Sequence, residues 1–128
     1  MKLPDGAYEL HKWVGRAIRP IETARFAKLR TAAPEEVRLR SEKLRGCELY
    51  HFQVSPFAAR VRRALAELQV EIPIHDVLED DAAFAALMRG GRRDQVPCLK
   101  IARAGEPERW LYESREIVRF LKETVGSP

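Results

Sequence analysis

Apolar and polar positions follow two patterns along this chain, one typical of helices and one typical of covered strands. From Phe57 to Leu68, apolar residues recur at spacings of three and four, which predicts a helix with one buried face. The residues from Leu49 to Val54 are mostly large, aromatic or β-branched and therefore suit a strand. Ser55 stands where a helix N-cap belongs, and Pro56 stands at the first helical position, where proline loses no hydrogen bond. This stretch thus predicts a strand, a tight turn and an amphipathic helix. The polar residues that lie off the apolar stripe are Arg60, Arg62, Arg63 and Glu67.

The same patterns continue through the second half of the chain, and the first strand is predicted over Cys47–Gln53. A second strand is predicted over Glu71–Val77, at an edge of the sheet because it contains Pro73. With the preceding strand and helix it should form a right-handed unit with parallel strands. The other predicted elements are a helix at Ala82–Met88 that ends at Gly90-Gly91, strands at Val96–Ile101 and Arg109–Tyr112, and a last helix entered at Glu113-Ser114. The last two strands are close enough to form an antiparallel hairpin.

Residues 1–46 are interpreted as a separate helical segment. Apolar residues from Tyr8 to Ile21 fall roughly on one side of a helix, which Pro20 should interrupt or restart. This segment has 11 lysines and arginines against 6 acidic residues, a net charge of +5, whereas the rest of the chain has 12 against 13, a net charge of −1. A basic helix that carries Trp13 could lie on a membrane or on a partner surface, or it could pack on the globular part as an arm. We expect the packed arm, and we expect no nucleic-acid partner.

Composition and cysteine spacing limit the class of protein. Hydrophobic residues make up 45% of the chain and charged residues 33%, which is ordinary for a globular protein. We expect no transmembrane segment and no secretory signal, because no apolar run of the required length or position occurs. Cys47 and Cys98 match no zinc or redox spacing. These observations predict a cytoplasmic location, no metal site and two free thiols.

Three short motifs carry a resemblance to a known family: Ser55-Pro56-Phe57-Ala58, Val96-Pro97 and Glu113-Ser114. In this order and on these elements, the chain resembles glutaredoxins and the N-terminal domains of glutathione S-transferases. The resemblance implies an α/β, thioredoxin-like fold of order β-α-β-α-β-β-α, with a four-stranded mixed sheet flanked by helices. This domain would comprise residues 47–128, and residues 1–46 would be a helical extension.

The resemblance also implies a site for glutathione. Val96 would pair its backbone with the cysteinyl part, with Pro97 held cis, although Val-Pro could instead simply begin a strand. Glu113 and Ser114 would hold the γ-glutamyl end at a helix N-terminus, although Ser114 could instead be only an N-cap. The residues expected to contact glutathione are Ser55, Pro56, Phe57, Gln95, Val96, Pro97, Glu113 and Ser114. The cations that could meet its glycyl carboxylate are Arg60, Arg92 and Arg93.

The chain departs from the glutaredoxin pattern at its first motif. Glutaredoxins carry Cys-Pro-aromatic-Cys there, and Ser55 and Ala58 fill both cysteine positions of this chain. Dithiol oxidoreductase activity is therefore not expected, and Cys98 is interpreted as a small buried hydrophobe rather than a displaced thiol. The Ser55 hydroxyl could cap the helix, which we expect, or it could donate a hydrogen bond to a bound thiolate.

These observations favour a glutathione-binding thioredoxin-fold protein, with glutathione or a related small thiol as ligand or substrate. One alternative is a non-catalytic protein-interaction module that uses the same groove or the basic N-terminal arm. The other is a serine-type glutathione transferase that acts through Ser55. Such enzymes append an all-helical domain for the second substrate, and no residues remain here for it. Whether the chain is an enzyme is left open at this stage.

Overall fold

The computed structural model describes residues 5–126. In chain order it contains α1 (Asp5–Ala27), α2 (Pro34–Ser41), β1 (Cys47–His51), α3 (Pro56–Glu67), β2 (Ile74–Asp76), α4 (Asp81–Ala86), β3 (Cys98–Ile101), β4 (Arg109–Tyr112) and α5 (Ser114–Val125). A short 3₁₀ turn follows α2, and a π-helical turn, Leu87–Gly91, follows α4. From β1 onward the order of elements is the predicted one.

The four strands form one mixed sheet in the order β2-β1-β3-β4. β1 runs parallel to β2 and antiparallel to β3, so that Leu49 lies between Ile74 and Leu99. β3 and β4 form the predicted antiparallel hairpin. With helices on both sides, this is an α/β thioredoxin-like fold, and the predicted fold class is confirmed.

Several predicted element boundaries were too generous. β2 is an edge strand, as Pro73 indicated, but it comprises only Ile74–Asp76. β3 begins at Cys98 rather than Val96. In both places a proline precedes the observed strand, and proline has no N–H to donate to a ladder.

Pro20 does not interrupt the first helix, contrary to the sequence-based expectation. α1 runs unbroken from Asp5 to Ala27 with Pro20 inside it. The proline is exposed, so water can bond the carbonyl of Arg16, which loses its helical partner. The stretch Asp5–Ala27 is therefore one long helix rather than two short ones.

Apolar side chains cover both faces of the sheet. The larger cluster joins residues of the sheet with residues of α3 and α5: Leu49, Val61, Leu65, Leu99, Ile117 and Leu121. The smaller cluster lies on the other face: Tyr50, Val77, Ala83, Leu87 and Cys98. Because successive residues of a strand point to opposite faces, both faces contribute to the core.

The two cysteines lie on opposite faces of this sheet. Cys47 pairs with Ile101 in the ladder and belongs to the larger cluster. Cys98 pairs with Tyr50 and belongs to the smaller cluster. Both thiols are free, which confirms the prediction.

No helix among residues 5–126 is long and apolar enough to cross a membrane. Within the same residues, no group of three or more His, Cys, Asp or Glu side chains is arranged to hold a metal ion.

Candidate functional site

Ser55 caps the N-terminus of α3. Its Oγ accepts a hydrogen bond from the Ala58 backbone N–H over 3.2 Å, and Pro56 follows at the first helical position. The Ser55 residue is only 6% exposed, and Ala58 is completely buried. The capping role predicted for Ser55 is confirmed, and its oxygen already has one partner.

The segment before β3 approaches the segment before α5. The Val96-Pro97 peptide bond is cis, and Pro97 is buried at the start of the strand. The Gln95 side chain donates a hydrogen bond from Nε2 to Oε1 of Glu113 over 3.4 Å. Two of the three sequence motifs therefore meet at this point.

Glu113 adopts a backbone conformation that is uncommon for a residue with a side chain. Its φ of 71° lies in the left-handed region, where non-glycine residues incur a cost. It occupies the N-cap position of α5, and its side chain makes no capping hydrogen bond. Ser114 follows as the first residue of α5 and is 6% exposed. An exposed carboxylate thus stands beside the first N–H groups of a twelve-residue helix, which can bind anions.

A groove of about 540 Å³ connects these segments with the first turns of α3. It brings together six of the eight residues predicted to contact glutathione, which are Phe57, Gln95, Val96, Pro97, Glu113 and Ser114, and one of the three candidate cations, Arg60. Ser55 and Pro56 do not line it, although Phe57 and Arg60 beside them do. The convergence of residues from α3, the β3 entry and the α5 entry is the main feature of the candidate site.

Arg92 and Arg93 do not line this groove. Arg92 follows the π-helical turn with a φ of 62°. The Arg93 guanidinium stacks over the Tyr112 ring at 5.0 Å. The backbone carbonyl of Arg93 accepts a hydrogen bond from the Tyr112 hydroxyl. Arg115, which the sequence analysis missed, lines the groove from the first turn of α5. Its position directly after Ser114 was the available signal.

Neither cysteine has the properties of a reactive thiol. Cys98 follows Pro97 and is fully buried, and this burial raises its pKa to about 12. Burial also raises the pKa of Cys47. Because the thiolate is the nucleophilic form, both thiols should be inert at neutral pH.

A second polar cluster, which we call the arm clasp, joins α1 to α3 and β1. Arg62 binds Glu22 through two hydrogen bonds of 2.8 Å, one from Nε to Oε2 and one from Nη2 to Oε1. Nη2 of Arg62 also donates to the Gln53 carbonyl, and Nη1 donates to Nδ1 of His51 at 2.7 Å. Since arginine can only donate, the proton of the neutral His51 ring must be on Nε2.

The arm clasp corrects the assignment of Arg62 to the polar side of α3. Arg62 is 6% exposed, and it lies four residues after Ala58 and three before Leu65, within the buried face. That spacing was the signal in the sequence. A buried arginine requires a carboxylate partner, and here Glu22 of α1 supplies it.

His51 makes the stability of the protein dependent on pH. Burial, with a contribution from the Arg62 charge, lowers the pKa of His51 from 6.5 to about 3. Between these two values the unfolded chain binds more protons than the folded one, so the free energy of unfolding falls as the pH falls below 6.5. From pH 7 to pH 5 the loss from this residue should be about 2 kcal/mol. Urea unfolding at both pH values should show this loss in the native protein and not in His51→Gln. An equal loss in both would assign it to other groups.

Comparison with known proteins identifies the family. The family model "Glutathione S-transferase, N-terminal domain" matches residues 49–128, which is more than half of the chain. Neither a search of curated proteins nor a search of solved structures found a significant match. The match begins in β1 and leaves α1 and α2 outside it. On the strength of this match, the chain belongs to the glutathione S-transferase N-terminal domain family.

Proposed function

We propose that the chain binds glutathione, or a related small thiol, in the groove at the N-terminus of α5. The observation that carries the proposal is the convergence of Val96-Pro97, Glu113 and Ser114 on one groove in a member of this family. We also propose that residues 47–128 form the domain that carries this function, and that residues 1–46 are an extension of it.

Each part of the tripeptide has a chemically suitable partner in this groove. The Glu113 carboxylate would bind the α-ammonium of the γ-glutamyl end, and Gln95 would orient that carboxylate. Ser114 and the free N–H groups of α5 would bind the α-carboxylate. The backbone of Val96 would pair with the cysteinyl part. Arg60, which has no side-chain partner in the described part of the chain and lines the groove, would meet the glycyl carboxylate.

We propose no dithiol oxidoreductase activity. Ser55 and Ala58 cannot form a disulfide, and the pKa of Cys98 is about 12. No contact in the groove favours a serine-type transferase, since the Ser55 hydroxyl accepts the Ala58 N–H and does not line the groove. A reducing compartment such as the cytoplasm, predicted from the two unpaired cysteines, would supply reduced glutathione.

Removing the polar groups at the α5 N-terminus should weaken glutathione binding. Glu113→Gln and Ser114→Ala each remove a charge-assisted hydrogen bond, so each dissociation constant should rise about 5- to 150-fold, which corresponds to about 1–3 kcal/mol. Calorimetric titration with reduced glutathione measures both. Glu123→Gln, an exposed acid near the other end of α5, is the matched control and should bind like the native protein.

Thermal unfolding separates a lost contact from a damaged helix. A change in affinity without a change in the unfolding temperature of the free protein assigns the effect to the contact. Native affinity in both Glu113→Gln and Ser114→Ala would remove the glutathione proposal, because the two groups assigned to the γ-glutamyl end would then contribute nothing to binding.

A further inference from the structure

The apolar side of α1 has no partner among residues 5–126. The packed arm expected from the sequence is present, but α1 packs through its polar side: Gly15 is buried and Glu22 binds Arg62. Leu10, Trp13 and Ile21 remain 62%, 64% and 63% exposed. With Val14, α1 carries four of the eight large hydrophobic residues that are exposed on the described surface. A concentration of this kind on one element marks a binding surface rather than scattered exposure.

The stripe that contains these residues faces mainly away from the contacts of α1 with the domain, although Ile21 also lines a groove against α3. At about 100° per residue, Leu10, Val14, Ala17 and Ile21 lie within an arc of about 60°. Gly15, Glu22 and Phe26, which face the domain, are centred about 130° around the helix from this arc. His11 and Arg16, on either side of them, also contact the domain. We call this set of exposed positions, Leu10, Val14, Ala17 and Ile21, the outer stripe. Over 23 residues α1 is about 35 Å long.

The charges at the C-terminal end of the outer stripe are positive. Arg25 lies next to its arc in the last turn of α1, and Lys28 follows in the turn after the helix. The described acidic residues of α1 point elsewhere and are paired, Glu9 with Lys12 and Glu22 with Arg62. Where the outer stripe ends, Arg25, Arg60 and Arg63 line a groove between α1 and α3 together with Ile21. Neither Arg25 nor Arg60 has a side-chain ion pair within the described residues.

We propose that α1 binds the surface of an anionic phospholipid bilayer. The helix lies flat, with the outer stripe at the boundary between headgroups and acyl chains, and with Arg25 and Lys28 among the lipid phosphates. Trp13 lies at the edge of the arc, the depth at which tryptophan is enriched in membrane proteins. An apolar face with exposed cations beside it is the pattern of helices that lie in the plane of a membrane.

A second copy of the chain fits this surface less well. In a symmetric contact between two outer stripes, Arg25 and Lys28 would be buried against a partner stripe that offers no carboxylate. A membrane surface, in contrast, presents many lipid phosphates to these cations. The outer stripe and the α5 groove share no residue, although Arg60 lines both the α5 groove and the groove where the outer stripe ends. The variants below leave Arg60 unchanged, so they test the proposal separately from glutathione binding.

Sedimentation of the full chain with lipid vesicles tests the proposal. At low salt the protein should bind vesicles that contain phosphatidylglycerol and should not bind vesicles of pure phosphatidylcholine. Ile21→Asp should abolish binding. Leu39→Asp, which places the same charge on an exposed apolar residue of α2, should bind like the native protein. Both sites are exposed, so neither substitution should unfold the chain, and circular dichroism checks this.

A second pair of variants tests the role of charge. Arg25→Gln with Lys28→Gln should weaken binding about fivefold for each cation removed. Arg89→Gln with Lys122→Gln lowers the net charge equally at exposed sites outside α1 and should have little effect. Absence of binding to anionic vesicles, or equal binding by the Ile21 and Leu39 variants, would overturn the proposal. A dimer in light scattering that Ile21→Asp dissociates, without lipid binding, would also overturn it and assign the outer stripe to contact between copies.

Discussion

Replacing Ser55 with cysteine is expected to create a thiolate at neutral pH, in a protein whose own two thiols stay protonated. The Ser55 oxygen accepts the Ala58 N–H at the N-terminus of α3, and a sulfur at that position would accept the same bond. The positive end of the helix dipole favours the charged form of the group that caps it. Cys98 does not cap a helix, and burial, which outweighs its hydrogen bond with Tyr112, raises its pKa to about 12.

The expected difference in ionisation is large. A thiol with a pKa of about 12 is ionised in roughly one molecule in 10⁵ at neutral pH. Cysteines at helix N-termini have pKa values of about 3.5–7.5, so a quarter or more of the Ser55→Cys molecules should carry a thiolate. The ultraviolet absorbance of the thiolate as a function of pH, and the rate of alkylation, should both show this difference.

Ser41→Cys is a matched control for this experiment. The Ser41 hydroxyl accepts a hydrogen bond from the Glu71 backbone N–H, as Ser55 does from Ala58, and donates to the Val37 carbonyl. It lies at the C-terminus of α2, where the dipole disfavours a negative charge, so the two sites differ mainly in the end of the helix. Its thiol should titrate above the ordinary value for cysteine, and Ser55→Cys should titrate below it. A Ser55→Cys thiol that titrates above about 8.5 would mean that desolvation outweighs the helix dipole at this position.

The same variant tests whether the fold supports thiol–disulfide exchange once a cysteine occupies this turn. The native protein should reduce a mixed disulfide of glutathione no faster than the background reaction. Ser55→Cys should gain activity by a one-thiol route, in which its thiolate attacks the disulfide and a second glutathione releases the product. Ala58 offers no resolving thiol, so no internal disulfide can form at this turn. Turnover by the native protein would instead indicate that Cys98 is reactive.

Much of the domain could be predicted because its signals are local. The cap at Ser55, the proline after it and the apolar spacing of α3 each constrain a few neighbouring residues, and all three agree with the structure. Pro73 indicated an edge strand because it cannot donate to a ladder, and β2 is at the edge. Signals of this kind do not depend on what the rest of the chain does.

The features that the sequence analysis missed depend on distant parts of the chain. The apolar stripe of α1 suggested that this side packs on the domain. The other side packs instead, because Arg62 is buried in α3 and needs a carboxylate, and Glu22 lies on that other side of α1. The positive φ of Glu113 is likewise invisible in the sequence, because glutamate has no preference for that conformation. Both features become predictable only when the partner segment is known.

Removing the Glu22 carboxylate should cost more stability than removing any exposed ion pair of the arm. Arg62 is almost fully buried, so Glu22→Gln leaves its charge without a counterion while keeping the size of the side chain. Breaking a buried pair in this way typically costs about 3–5 kcal/mol. Denaturant unfolding of the native protein and of Glu22→Gln measures the difference.

Release of the arm sets an upper limit on this loss. If α1 undocks, water reaches Arg62, and the cost becomes the free energy with which α1 binds the domain. Hydrogen exchange distinguishes the two outcomes: faster exchange confined to α1 indicates undocking, and faster exchange throughout indicates a weakened domain. Replacing both residues, as in Glu22→Met with Arg62→Met, should be less damaging than Glu22→Gln alone, because no unpaired charge remains.

The pair formed by Arg16 and Glu79 provides the matched control. It also joins α1 to the domain through two hydrogen bonds, of 3.0 and 2.7 Å, but both side chains are substantially exposed. Because solvent screens such a pair, Glu79→Gln should change the free energy of unfolding far less than Glu22→Gln. The two substitutions remove the same kind of bond from the same helix and differ mainly in burial. Equal effects would show that the burial of Arg62 does not fix the orientation of α1, and the exposure of the outer stripe would then need another cause.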